Sequence, residues 1–268
     1  MVHSHQVYIA LLQQHLQVLL TLVTSVGAGL LALILWRRNL TTSYRAFTWY
    51  LVAECVTGLA TAMIIWKASR NTASLSFQIL QPVIWFFYIG VALEIYKKCL
   101  YRFKGIARVG QQVLVFGLLG SMVLSVSTVQ PDWESSRHIG ALNVLYITAA
   151  HRVITGGITL FLLLLAVVLN WFPVPIAANT IFHTAVSFFF FLSMTVAHLY
   201  RNLTGRDVTD VMNIAVMAMG TCCLVAWAVG MVSAGEADGE VPPRSPGDSS
   251  WLLAQMEAIN RALMRVAK

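Results

Sequence analysis

Residues 211–231 read VMNIAVMAMGTCCLVAWAVGM, twenty-one consecutive positions without a formal charge. As a helix such a run is about 30 Å long, the thickness of a bilayer's hydrocarbon core. Asn213 and Thr221 are isolated polar positions in it, so no hydrophilic face meets water all along one side. A helix apolar all round is solvated by lipid or by other apolar helices. This stretch is read as a transmembrane span.

Working outward, six more runs share its character, at 17–36, 46–66, 77–97, 112–130, 147–169 and 176–200. With 210–232 they make seven spans of membrane-crossing length. Interface residues bound several of them: Trp36 and Arg37, Trp66 and Lys67, Tyr96 to Lys98. Residues 6–16 extend the first helix, and Pro82 is placed as a kink in the third. Residues 131–146 (PDWESSRHIGALNVLY) stay open between a loop, an interfacial helix and an early start of the fifth span. The expected fold is an all-α integral membrane protein, a seven-transmembrane bundle over 1–232.

Composition agrees. The 268 residues are 58% hydrophobic and 11% charged, against about 25% charged for soluble domains. No separate soluble domain is expected. The net charge of +7 is assigned to helix orientation and anionic lipid headgroups, not to nucleic acid. Placing the N-terminus outside and the C-terminus inside puts twelve Lys and Arg residues in inner segments and six in outer ones. The richest loop carries Lys97, Lys98, Arg102, Lys104 and Arg108. That bias predicts an N-out, C-in protein of a bacterial inner membrane. The four cysteines lie in or at the end of apolar runs without a CxxC pair, so neither disulfides nor zinc are expected.

Beyond the last span the composition changes. Residues 233–250 (SAGEADGEVPPRSPGDSS) read as a flexible linker. In 251–268, Leu252, Met256, Ile259, Leu263 and Val266 fall at alternating spacings of four and three. That stripe reads equally as a heptad seam or as the apolar side of a cytoplasmic amphipathic helix, docked on lipid or on a partner protein.

Ionisable groups inside a membrane are costly and therefore candidates for function. Glu54 and His183 fall at similar depths in two spans that run the same way, which suggests an intramembrane carboxylate–imidazole pair, functional or structural. Glu94, one turn before Lys97 and Lys98, reads as an interfacial ion-paired residue. Near the outer surface, His151 and Arg152 open the fifth span and His198 ends the sixth. The short loop 170–175 makes those two spans antiparallel neighbours, so both imidazoles come within reach of one ligand, metal or haem iron. His183 and His198 are about 22 Å apart along one helix. A second haem would need an inner histidine opposite His183, and His3, His5, His15 and His138 all map outside.

Other motifs are absent or weak. No Walker A, HExxH, GxSxG or paired-carboxylate pattern occurs, and 211–231 has no lysine for a retinal Schiff base. The Met-Val-His-Ser-His start offers only an incomplete copper chelate. The aromatic runs Trp85–Tyr88 and Phe188–Phe191 read as packing. No catalytic residues, resident metal or cofactor are expected, with one haem b at His151 and His198 as the alternative.

Seven spans, short loops, N-out orientation and a heptad-like helix past the last span resemble the membrane module of bacterial seven-transmembrane sensor proteins. The C-terminal MEAINRALMR is similar in style to uncharacterised bacterial seven-helix proteins. The resemblance implies a non-enzymatic sensor-like or scaffolding subunit. Residues 251–268 stand where an output domain would begin, so the signal is expected to pass to a separate protein subunit or a second copy. The alternatives are a haem- or quinone-binding subunit of an electron-transfer complex, and a lipid-modifying enzyme or transporter using Glu54 and His183.

Overall fold

The computed structural model describes residues 2–67, 70–100, 112, 139–171, 176–204, 209–236, 254–255 and 257–261. Among them every regular element is a helix. α1 spans Val2–Arg37, α2 Arg45–Lys67, α3 Arg70–Cys99, α4 Ile139–Trp171, α5 Ala178–Thr204 and α6 Thr209–Gly230, followed by a single 3-10 turn at Ser233–Glu236. Each of the six α-helices contains a segment long and apolar enough to cross a membrane. The expected span at 112–130 lies outside the described residues. Helix α4 begins at Ile139, so the latter half of 131–146 is the start of that helix, and 131–138 falls outside the described part.

The helices close into a ring, α1 against α2, α2 against α3, α3 against α4, α4 against α5, α5 against α6 and α6 back against α1, while α3 also touches α5. Large apolar side chains point outward from this ring, among them Phe86 and Val229, each 73% exposed. Exposure on that scale is costly in water and matches lipid. The bundle has two faces. The N-terminal face carries the start of α1; the C-terminal face carries residues 38–44, the end of α3 and the chain after α6.

Local chemistry explains the boundaries. Helix α1 is terminated just past Arg37 by Asn39, whose φ of 57° is left-handed. The Asn39 N–H donates to the Trp36 carbonyl at 3.0 Å and the Leu40 N–H to the Leu35 carbonyl at 2.9 Å, while Leu35 and Leu40 are both buried. This is a Schellman ending with asparagine in the usual glycine place. Helix α2 is started from another helix. The Glu94 carboxylate of α3 accepts from the Ala46 and Phe47 N–H groups at 2.9 and 3.0 Å. Glu94 is therefore the cap of α2, where free amides and the positive helix end favour a carboxylate, and the charge of Lys98 also acts on it. Helix α3 runs through Pro82 without ending.

Threonines inside the apolar helices donate their hydroxyl hydrogen one turn back. Thr57 bonds the Ala53 carbonyl at 2.7 Å, Thr61 that of Thr57 at 2.8 Å, and Thr21 that of Gln17 at 2.8 Å. The local bond makes a hydroxyl tolerable without a partner on another helix. At Gly58 the first two helices meet so closely that a Cβ would collide with the Ser25 hydroxyl, a small-residue contact typical of packing in lipid.

Candidate functional site

An aromatic core divides the bundle. At its C-terminal end Tyr44 and Phe47 surround His183, with ring centroids 5.3 and 4.5 Å away, and Trp227 stands at 5.8 Å. Tyr50, Tyr88 and Phe190 form the next layer, with 5.5 Å between the two tyrosine rings. Beyond it, toward the N-terminal face, the interior opens.

That cavity measures about 500 Å³, within the range that accommodates a small molecule. Its polar lining comes from six helices: Gln17 and Thr21 of α1, Glu54, Thr57 and Thr61 of α2, Gln81 of α3, His151 of α4, His198 of α5 and Asn213 of α6. Thioethers of Met194 and Met217 line it as well. A smaller hollow of about 140 Å³ shares Thr21, Glu54 and Gly58 and reaches Tyr50 and Trp227. A groove of about 550 Å³ between α1 and α6 has a lining of residues such as Leu22, Val26, Leu30 and Leu224, a seat suited to an acyl chain.

Glu54 projects into the cavity, and its carboxylate makes no side-chain hydrogen bond among the described residues. It carries the only formal charge among the described lining residues. Glu54 and His183 do not form the pair their depths suggest. Both His183 ring nitrogens are buried without a hydrogen-bond partner, and the ring lies level with Phe47, seven residues or about 10 Å along α2 from Glu54. Counting from the apolar boundaries misses this stagger between α2 and α5. Ser187, one turn beyond His183, and Trp227 also keep a buried polar atom unpartnered.

His151 and His198 do meet, with ring centroids 4.8 Å apart at 71°. The Trp85 indole N–H donates to His151 Nδ1 at 2.7 Å, and the Gln81 amide lies 2.9 Å from the same nitrogen. An indole is only a donor, so Nδ1 is an acceptor and the ring proton sits on Nε2. Trp85 thus orients a site residue, a role its place in an aromatic run conceals. Two imidazoles in edge contact leave no gap for a porphyrin plane between them, so this arrangement does not fit one haem held by His151 and His198. Among the described residues no three His, Cys, Asp or Glu side chains group as a metal site. Arg152 is half-buried on α4 and is not part of the cavity lining.

No protein family, curated sequence or solved structure matches this chain.

The C-terminal face is built in the opposite way. Lys98 Nζ lies 3.2 Å from Glu236 Oε2 and 3.9 Å above the Tyr44 ring. The buried Asn179 amide donates to the Val232 carbonyl at 2.6 Å and to Glu236 Oε1 at 3.1 Å, and its oxygen accepts from the Val232 N–H at 3.2 Å. Arg38 donates to the Ala228 carbonyl at 2.9 Å and also to that of Met231, covering the free carbonyls that end α6, while Ser233 donates to the Arg38 carbonyl at 2.9 Å. Partial burial pushes the Glu236 carboxyl up, but the hydrogen bonds from Tyr44 and Asn179 and the Lys98 charge outweigh it, and the group is held below the usual carboxylate range. Residues 233–236 are thus a clasp, so the flexible linker expected from Ser233 onward does not begin there. Composition shows Gly, Ser and Glu but not the Asn179 and Lys98 that hold them.

Of the C-terminal stripe, Ile259 lies in a described helical segment and is 53% exposed. Leu252, Met256, Leu263 and Val266 lie outside the described residues.

Proposed function

We propose that this chain is a non-enzymatic, sensor-like seven-helix membrane protein that binds a small molecule in the cavity beside Glu54 and passes its occupancy to a separate protein. In this reading 112–130 supplies the seventh span, the N-terminal face is external, and Leu252, Met256, Ile259, Leu263 and Val266 dock on the partner. The observation that carries it is the roughly 500 Å³ cavity containing a carboxylate without a hydrogen bond. A bundle selected only for packing would fill that volume, and an ionisable group inside a membrane is costly to keep there. The clasp adds a route outward: α5 and α6, which line the cavity with Met194 and Met217, also carry Asn179 and the chain that the clasp holds.

The full chain in lipid nanodiscs, screened against small polar metabolites, is expected to rise in melting temperature with a subset of them. Met217→Trp, which sets a bulkier ring into the cavity, is expected to weaken every such response. Equal responses in wild type and Met217→Trp would overturn the cavity as the site. For the partner, removal of residues 251–268 is expected to abolish co-purification in mild detergent, and an unchanged set of bound proteins would refute docking through that helix.

A further inference from the structure

Around Glu54 the lining of the cavity is rich in acceptors, while Gln17, Gln81, His151, His198 and Asn213 place amide and imidazole groups elsewhere in it. Glu54, when ionised, is an acceptor only. Thr57 and Thr61, on the same helix, have spent their single hydrogen on the carbonyls one turn back. Thr21, from α1, has done the same, and its hydroxyl also lies 3.9 Å from the Met217 sulfur. The oxygens of these three hydroxyls therefore have only lone pairs left to offer. Met194 and Met217 add weak acceptor sulfurs. Aromatic rings complete the wall, since Tyr88 lines the cavity and Tyr50 lines the hollow next to it, one helical turn from Glu54.

A carboxylate beside hydroxyl lone pairs and tyrosine rings complements a group that is positively charged and rich in N–H or polarised C–H donors. An anion would be repelled by an ionised Glu54, whereas a cation supplies the counter-charge that a carboxylate in a bundle of low polarity otherwise lacks. A bare metal ion is a poorer match: the lining supplies a single carboxylate, and no metal-holding group of three side chains is present among the described residues. The volume, about 500 Å³, also far exceeds what one ion fills.

We infer that the ligand of this cavity is a small organic cation carrying an ammonium group, with Glu54 as its counter-ion and Thr21, Thr57 and Thr61 as acceptors. This rests on the cavity being the binding site, and the experiment separates the two claims. Three shape-matched probe sets are titrated into the full chain in nanodiscs, with melting temperature and tryptophan fluorescence as readouts. They are ammonium compounds (choline, butylammonium), neutral isosteres (3,3-dimethylbutan-1-ol, butanol) and anions (3,3-dimethylbutyrate, butyrate).

The ammonium set is expected to bind at least tenfold more tightly than either other set. Glu54→Gln is expected to lose that preference while melting like wild type, and Glu54→Asp, which keeps the charge, to retain it. If Glu54→Gln fails to fold, Thr57→Val serves in its place, with ammonium binding weakened several-fold. Neutral or anionic probes that match the ammonium set, or undiminished ammonium binding by Glu54→Gln, would overturn the cation while leaving the cavity as a binding site. Silence from all three sets, together with responses to other compounds that survive Met217→Trp undiminished, would overturn both.

Discussion

Glu54 and Glu236 are the same side chain under opposite conditions. Glu236, on the clasp, faces Lys98 and the Asn179 amide within 3.2 Å. Glu54 stands in the cavity with no such partner. Around Glu236 the polar groups are matched donor to acceptor, and the chain after α6 is tied to α1, α3 and α5. Around Glu54 three threonines keep their donors for their own helix. One face thus matches its carboxylate to a cation and an amide, and the other keeps a carboxylate without a side-chain hydrogen bond among the described residues. A binding region in a bundle that lipid surrounds is recognised by this lack of internal compensation.

The sharpest test of the contrast is Asn179→Ala. It strips the Val232 N–H, the Val232 carbonyl and Glu236 of their shared partner in a buried place, and is expected to cost about 3 kcal/mol. Unfolding in mixed detergent micelles measures it; a loss near zero would mean the clasp holds nothing. Gly58→Val comes next. The new side chain runs into Ser25, and parting α1 from α2 is expected to cost about 2 kcal/mol, read in the same assay, with no change in the clasp's acid sensitivity.

Glu236→Gln is smaller, about 1 kcal/mol at neutral pH. The Glu236 carboxyl is held below its ordinary range in the folded chain, so the stability it supplies is present above the unfolded carboxylate range. That stability is lost as pH falls through the folded value. The wild type should therefore lose this increment on acidification, while Glu236→Gln should lose less, as seen by comparing unfolding curves at neutral and acidic pH. Glu54→Gln closes the series, with a change in stability within about 0.5 kcal/mol. A strong destabilisation would show that Glu54 is part of the scaffold and would erase the contrast between the two faces.

Much of the architecture was legible from the chain. The span 211–231 and its counterparts carry their fold in composition, because backbone amides in lipid have helices as their nearest solution. The approach of His151 to His198 followed from a short loop, 170–175, which leaves two spans no choice but to be neighbours. Neither Trp85 beside His151 nor Glu94 on the start of α2 had a local signal. Each acts on residues 47 to 66 positions away, and no periodicity within one segment encodes such a partner.

The amino-acid sequence by itself determined that this protein is helical, which segments are apolar enough for a bilayer, and which few ionisable groups lie among them. Only the tertiary structure decided that Glu54 opens on a cavity while His183 is enclosed by rings, and that Ser233–Glu236 is a clasp and not a tether. Hydrophobicity is a property of each segment, summed along it; the depth and rotation of one helix against another depend on side chains that meet across the bundle, far apart in the chain.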